Sequence, residues 1–264
     1  MKVVLFCGGK GMRMREFSEN IPKPMVPVGP RPVLWHLMRY YAHYGHTEFI
    51  LCLGYRGDYI KKYFLEYQEW QSNDFILHGD SRSGEQRVEM LNTDLDDWTI
   101  TMVDTGLEAN IGQRLMAVKE HLDGEEMFLA NYGDGLSDCP IDEMVKEVEN
   151  DPGIVGNFLC VPPSQTFHVV EIDADNRATD FSEADSADVW VNGGYFVFRE
   201  ELWDHIRPGE ELVYEPFRRL MDERKLAAHR HDGFWMGMDT FKDRQELDEM
   251  HQAGEAPWEK WLLP

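Results

Sequence analysis

The sequence predicts an α/β protein in which a mostly parallel, mixed sheet is flanked by helices. Strand and helix patterns alternate through the first 150 residues, and a glycine-rich loop follows the first strand. Such alternation is typical of right-handed βαβ units. The chain has 264 residues and is 42% hydrophobic, which is enough apolar material for a full α/β core.

The periodicity of the apolar residues predicts the elements of the first half. β-Branched and aromatic runs predict strands, and apolar residues at i, i+3 and i+4 predict helices. A helix over 33–44 places Val33, Leu34, Leu37 and Tyr41 on one face. In order, we predict strands over 2–6, 48–53, 98–103 and 126–130, and helices over 33–44, 59–67 and 113–121.

The pattern changes near Asp151, where strands are joined by turns rich in proline and aspartate. We predict strands over 155–161, 167–172, 189–198 and 226–231, and helices over 215–224 and 241–252. No linker or repeat divides the chain. We therefore expect one domain over 1–264, with an α/β half over 1–150, a second half over 151–240 laid across the same sheet, and a helical tail over 241–264.

The charge balance excludes several classes of partner. The chain has 26 basic and 49 acidic residues, a net charge of −23, so it would repel nucleic acids and anionic membranes. No apolar run reaches the ~18–20 residues of a membrane span, and no signal peptide or paired CxxC motif is present. We expect a cytoplasmic protein without a nucleic-acid or membrane partner, and any anionic substrate must bind where basic residues are concentrated.

The loop after the first strand combines glycines with basic residues. Ligands of open α/β sheets bind beyond the carboxyl ends of the strands, and glycines let backbone N–H groups approach phosphate oxygens. A dinucleotide fingerprint needs a glycine at Met14, and a Walker A loop needs Gly-Lys-Ser/Thr. The chain has neither. It has Gly-Gly-x-Gly-x-Arg ending at Arg13, and a Pro-rich segment beginning near Lys23, which together indicate a phosphate-binding site.

These segments, GGKGMRM and PKPMVPVGPRPVLWH, resemble the opening of the sugar-1-phosphate nucleotidylyltransferases. The likeness continues in order through HYGHTEFILCLGYRGDYIKKYF, WTITMVDTGLEANIGQRL, FLANYGDGLSD, VNGGYFVF and GFWMGMDTFKDRQELDEM to the closing APWEKW. Within the family, the chain looks most like members that use CTP and glucose 1-phosphate. The resemblance implies a Rossmann-like, GT-A-like nucleotidyltransferase fold, with a nucleotide-binding half (1–150), a sugar-phosphate-binding half with a small β annex (151–240), and a homo-oligomer.

The resemblance also implies the reaction and its residues. A cytidylyl group would pass from CTP to a sugar 1-phosphate, releasing pyrophosphate, with Mg²⁺ as cofactor and with Arg13 and Lys23 as catalytic cations. The implied nucleotide-binding residues are Phe6, Gly8, Gly9, Lys10, Gly11, Met12, Arg13, Lys23, Arg114 and Gly133, with Arg114 contacting the pyrimidine. The implied sugar-binding residues are Glu183, Asn192, Gly193, Gly194, Tyr195 and Trp235, and the implied metal ligands are Asp134 and Asp239.

The acidic residues allow more than one interpretation. Asp134 follows an apolar strand and Asp239 follows an aromatic pair; two such carboxylates suit Mg²⁺, although each also suits a turn or a helix cap. A competing motif, Asp94-Leu95-Asp96-Asp97, has the DxD form that many glycosyltransferases use, but it follows a polar segment over 89–93. The histidines near the first helix, including His36, are predicted to be core or surface residues.

The chain departs from the family pattern at three places. Met12 replaces a threonine, and Ala109 stands where a hydroxyl residue is expected. The family's Glu-Lys-Pro stretch appears as Ser-Glu-Ala-Asp-Ser over 182–186, without the lysine that grips the sugar phosphate. Either Arg177 or Arg218 substitutes, or the acceptor is not glucose 1-phosphate. The alternatives left open are UTP or dTTP as donor, a catalytically silent regulatory subunit, and a glycosyltransferase.

Overall fold

The computed structural model describes residues 1–9, 21–79, 84–94, 97–163, 168–172, 174, 177–183 and 189–262. Its strands are β1 (Lys2–Phe6), β2 (Pro27–Val28), β3 (Arg31–Pro32), β4 (Glu48–Leu53), β5 (Phe75–Gly79), β6 (Gln86–Met90), β7 (Thr99–Asp104), β8 (Met127–Asn131), β9 (Gly135–Ser137), β10 (Gly156–Val161), β11 (His168–Ile172), β12 (Ala178–Glu183), β13 (Val191–Arg199), β14 (Leu226–Arg230) and β15 (Trp235–Gly237). Its α-helices are α1 (Val33–His43), α2 (Gly57–Leu65), α3 (Ile111–Ala117), α4 (Ile141–Asn150), α5 (Glu215–Asp222) and α6 (Phe241–Ala253).

Seven strands from both halves of the chain form one twisted sheet in the order β14-β10-β13-β8-β1-β4-β7. The pairs β1–β4, β1–β8, β4–β7 and β10–β14 are parallel. Strand β13 runs antiparallel to both of its neighbours, β8 and β10. The sheet is therefore mixed and mostly parallel, as the sequence predicts.

The two faces of the sheet are covered by separate groups of apolar side chains. Along β1, Val3 and Leu5 pack in the cluster that contains the buried face of α1, whereas Val4 and Phe6 pack on the opposite face. This alternation follows from the twofold repeat of a strand, and cover on both faces explains why β1 is a continuous apolar run. In the described part of the chain, no helix combines the length and apolarity that a membrane crossing requires.

Several predicted boundaries differ from the structure. Helix α3 begins at Ile111, two residues before the predicted start, because Asn110 and Gln113 form a capping box. The predicted helix over 113–121 ends earlier, at Ala117, and is followed by a 3₁₀ turn over Lys119–Leu122. The prediction missed α4, the β5–β6 hairpin, strand β12 and the short β9–β15 pair.

Candidate active site

A cavity of 340 Å³ opens at the carboxyl ends of β1 and β8, beside the first turn of α3. This is the position where open α/β sheets bind ligands. Its lining comes from both halves of the chain: Phe6, Gly8, Gly9, Lys23, Pro24, Ala109, Asn110, Ile111, Arg114, Tyr132, Asp134 and Glu211. The cavity thus brings together Gly8 and Gly9 of the glycine loop, Lys23, Arg114 and Asp134, which the sequence placed in one site.

Arg114 ties the loops around this cavity to one another. Its side chain is buried, and its terminal nitrogens donate to the carbonyl of Leu53 (3.2 Å), the hydroxyl of Thr105 (2.7 Å), the carbonyl of Gly8 (3.1 Å) and the carbonyl of Leu107 (3.4 Å). These bonds occupy all four N–H groups of the terminal nitrogens. Arg114 therefore holds the cavity wall, and its predicted contact with a pyrimidine through those nitrogens requires one of these bonds to break.

Gly8 is required by the same arginine. A Cβ on Gly8 would overlap the Arg114 guanidinium, whereas a Cβ on Gly9 would meet nothing within 4 Å. We expect Gly8→Ala to lower the free energy of unfolding by about 1–3 kcal/mol, because the crowded guanidinium must give up hydrogen bonds. Gly9→Ala is the matched control, with little change in stability. Equal denaturant midpoints for the two variants would contradict this role of Gly8.

Lys23 lies between the two aspartates predicted as metal ligands. Its Nζ is 2.6 Å from Oδ2 of Asp134 and 2.7 Å from Oδ1 of Asp239. Lys23 begins a 3₁₀ turn over Lys23–Met25, in which Pro24 and Met25 are buried. This anchoring directs the side chain of Lys23 toward the cavity and leaves it only 14% exposed.

The pairing of β9 with β15 brings the two aspartates together. Asp134 immediately precedes β9, and Asp239 follows shortly after β15. The two strands are antiparallel, with Gly135 opposite Gly237, so both aspartates lie at the same end of the pair. The amide of Met238 donates to the carbonyl of Asp134 (2.9 Å) and extends this connection by one bond.

The cluster carries one positive and two negative charges in a partly buried setting. Burial disfavours the charge on Lys23, but Asp134 and Asp239 outweigh this effect and raise the pKa of the ammonium. Burial, with repulsion from Asp239, raises the pKa of Asp134 even though Lys23 lies beside it. Two carboxylates that converge on one cation form a donor set suited to a divalent ion that takes its remaining ligands from water and phosphate.

The predicted sugar-binding residues other than Glu183 lie beside this cluster, on β13 and β15. The Asn192 side-chain amide donates to the Tyr132 hydroxyl (3.0 Å), and its carbonyl oxygen accepts from the amide of Gly194 (2.9 Å). The indole of Trp235 donates to the carbonyl of Gly193 (2.8 Å). Gly194 has φ +77°, and a Cβ there would overlap the Tyr132 ring.

One predicted sugar contact needs correction. The side chain of Tyr195 is buried, and its hydroxyl donates to the carbonyl of Gly135 (2.9 Å). Tyr195 therefore packs in the core beneath the site and does not offer its hydroxyl to a ligand. Tyr195 could therefore contact a sugar only through its backbone, and its side chain supports β9.

Some predicted residues lie outside the described part of the chain. These are Lys10, Gly11, Met12 and Arg13 of the glycine loop, together with residues 184–186 of the departing stretch. Glu183 ends β12. Arg177 and Arg218 are both exposed, and their substitution for the missing lysine stays a prediction.

The competing DxD motif and the first histidine have structural partners. Asp94 is buried, pairs with Arg31 (3.2 Å) and accepts from the hydroxyl of Ser72. Its carboxylate is thus engaged within the protein, while Asp96 lies outside the described residues. The Nε2 of His36 is 3.0 Å from the carbonyl of Val28, and burial lowers the pKa of His36 to about 4. His36 is therefore a neutral core histidine, as predicted.

The sequence interpretation gave no role to two polar lining residues, Tyr132 and Glu211. Asn110 lies in the segment before α3, where the spacing Asn-x-x-Gln is a helix-start signature. Tyr132 stands beside Gly133, whose φ of +82° forms the turn into Asp134. Glu211 lies in an irregular segment before α5 and carries no local signal.

Known proteins share the sequence pattern and the fold of this chain. The model of the nucleotidyl transferase family matches residues 2–250. The chain belongs to the nucleotidyl transferase family. The resemblance to sugar-1-phosphate nucleotidylyltransferases drawn from the sequence is thereby confirmed, and the chain is an enzyme of this class. The glycosyltransferase alternative is set aside.

Curated relatives are similar to this nucleotidyl transferase along its whole length. A probable glucose-1-phosphate cytidylyltransferase of Bacillus subtilis is 37% identical over 99% of this chain and 100% of its own. The glucose-1-phosphate cytidylyltransferase of Salmonella typhi is 35% identical with the same coverage.

Solved structures share the fold at low identity. HddC of Yersinia pseudotuberculosis superposes with a TM-score of 0.64 at 17% identity, covering 95% of this chain and 99% of that one. A UDP-glucose pyrophosphorylase complexed with UDP-glucose gives a TM-score of 0.66 at 14% identity, covering 96% and 98%. These likenesses confirm the predicted GT-A-like fold class.

Proposed function

We propose that this nucleotidyl transferase moves a cytidylyl group from CTP to a sugar 1-phosphate, with glucose 1-phosphate as the acceptor. The observation that carries the proposal is the contact of Lys23 with Asp134 and Asp239 at the mouth of the cavity. A lysine beside two carboxylates suits a reaction in which two polyanions meet. The names of the full-length relatives support the choice of CTP and glucose 1-phosphate.

The chain's residues position and neutralise the reacting phosphates. Backbone N–H groups of the loop at Gly8 and Gly9 face the triphosphate, and Lys23 lies between the α-phosphate and the acceptor phosphate. An oxygen of the sugar phosphate attacks the α-phosphorus, the bond from the α-phosphorus to the bridging oxygen breaks, and pyrophosphate leaves with that oxygen. No enzyme nucleophile is needed, since positioning and charge neutralisation supply the catalysis.

Asp134 and Asp239 are the residues that would hold Mg²⁺. When bound there, the ion supplies positive charge to the phosphate oxygens. The ammonium of Lys23 lies between the same two carboxylates. Lys23 must therefore leave at least one carboxylate before both can bind a metal, which frees its ammonium for the phosphates.

The test is pyrophosphate release in Mg²⁺, crossing CTP, UTP, dTTP, ATP and GTP with a panel of sugar 1-phosphates. We expect release with CTP and glucose 1-phosphate. Release with CTP and a different sugar would make the absent lysine over 182–186 a feature of acceptor specificity. Release with UTP or dTTP in preference to CTP would contradict the proposed donor, and no release with any pair would favour a regulatory subunit.

A further inference from the structure

The polar side chains that line the cavity differ in how many hydrogen bonds they already make within the protein. Besides Lys23 and Asp134, the polar side chains that line it are Asn110, Arg114, Tyr132 and Glu211. The four terminal N–H groups of Arg114 are all engaged. Asn110 donates to the carbonyl of Gly209 (3.1 Å) and accepts from the amide of Gln113 (2.8 Å). Both residues are thus committed to building the cavity wall.

Asn110 keeps one N–H as well as one acceptor site, whereas Glu211, as a carboxylate, can only accept hydrogen bonds. Its Oε2 accepts from the amide of Ile111 (3.3 Å) and its Oε1 from the amide of Leu212 (3.0 Å). A carboxylate offers about four acceptor sites, so each oxygen keeps one unused. Within the described ranges, the ion pairs found include none between Glu211 and a basic side chain. The two amide contacts hold the carboxylate in place at the start of α3.

The surroundings of Glu211 fit a nucleobase. Lys23, which would neutralise the phosphates, and Asp134, which would hold the metal, lie together, so we expect the nucleoside to extend away from them toward the start of α3. Phe6, Ala109 and Ile111 line the same cavity and provide apolar contact for the faces of a ring. Glu211 then meets the polar edge of that ring.

We propose that Glu211 selects the nucleobase by accepting a hydrogen bond from the exocyclic amino group of cytosine. Cytosine carries an amino donor at its 4-position, where uracil and thymine carry a carbonyl acceptor. With UTP, the half-buried carboxylate of Glu211 would face a carbonyl oxygen and neither group would have a donor. A site built for a substrate N–H discriminates strongly against the analogue that lacks it. This inference rests on the proposed use of CTP and names the residue responsible for it.

The experiment compares kcat/KM for CTP, UTP and 2′-deoxy-CTP in the wild-type enzyme and in Glu211→Gln. The amide retains the shape of the side chain but presents a donor as well as an acceptor. We expect the CTP/UTP preference to fall by about 10- to 100-fold, with the ratio of CTP to 2′-deoxy-CTP unchanged. Glu211→Asp keeps a carboxylate and is expected to keep CTP as the preferred nucleotide.

The control variant is Glu210→Gln. Glu210 is the sequence neighbour of Glu211 and pairs with Arg219 (3.0 Å), so its substitution should leave the CTP/UTP ratio unchanged. An independent measurement needs no variant: the wild-type enzyme should use a CTP analogue without the 4-amino group less well than CTP.

Three results would overturn the inference. An unchanged CTP/UTP ratio in Glu211→Gln with CTP still the preferred substrate would refute the role of Glu211 and leave the proposed function standing. A change confined to 2′-deoxy-CTP would assign Glu211 to the ribose. A wild-type enzyme that prefers UTP would refute both the proposed function and this inference.

Discussion

Replacing Lys23 with alanine is expected to lower kcat for pyrophosphate release by about 100- to 1,000-fold and to raise KM for the sugar 1-phosphate. The ammonium of Lys23 contacts Asp134, which lines the cavity, at 2.6 Å and Asp239 at 2.7 Å. Without its ammonium, the negative charge of the incoming phosphate and of the α-phosphate is less well neutralised as they approach. Steady-state kinetics with each substrate varied in turn measures both effects.

Lys62→Ala is the matched control, because Lys62 is 71% exposed and lies 3.8 Å from Glu66 in an ordinary helix-surface pair. Its substitution should change neither constant. A second readout is Mn²⁺ binding, followed by electron paramagnetic resonance without nucleotide. Since Lys23 lies between the carboxylates, Lys23→Ala should bind Mn²⁺ more tightly than the wild-type protein. Weaker binding together with normal kcat would show that Lys23 has been given the wrong role.

Replacing Asp239 with asparagine is expected to abolish Mg²⁺-dependent turnover, with a loss of at least about 100-fold. The amide keeps the size of the side chain but removes the negative charge that would hold the ion. The Asp239 side chain is 43% exposed, so the fold does not depend on it, and the melting temperature should change little. Two measurements test the loss of metal binding. One is steady-state kinetics at varied Mg²⁺ concentration, and the other is the affinity of the variant for Mn²⁺.

Asp232→Asn provides the comparison, because Asp232 is exposed on the loop before β15 and is not one of the two carboxylates found in contact with Lys23. It removes the same charge from the same region and should leave both readouts unchanged. Full Mg²⁺-dependent activity in Asp239→Asn would refute the assignment of Asp239 as a metal ligand.

Local patterns in the sequence were sufficient for the main strands of the sheet. Strands β1 and β4 have the predicted bounds, because each is a run of apolar residues buried on both faces and ends at a glycine-containing turn. The β5–β6 hairpin was missed because all but one of the residues in its two strands are exposed. Such strands lack the alternation between apolar and polar residues from which a strand is predicted in a sequence.

The site was predictable only in part. Lys23 and Asp134 were identified from motifs that resemble a family, and the structure places them in contact although they are 111 residues apart in sequence. Arg114 was also identified, but its hydrogen bonds to four groups at the ends of β1, β4 and β7 were not. Those partners become neighbours only when β1, β4 and β7 lie side by side.

By itself, the sequence determined the α/β class, the glycine loop after β1 and membership of the nucleotidyl transferase family. Each of these can be recognised from short segments of residues that are consecutive in the chain. Only the tertiary structure decided which polar groups share the cavity. Asp239 joins Lys23, 216 residues earlier, because β15 pairs with β9, and Glu211 joins the cavity because it accepts from the amide of Ile111. Contacts between such distant segments depend on strand order and register, which local periodicity does not specify.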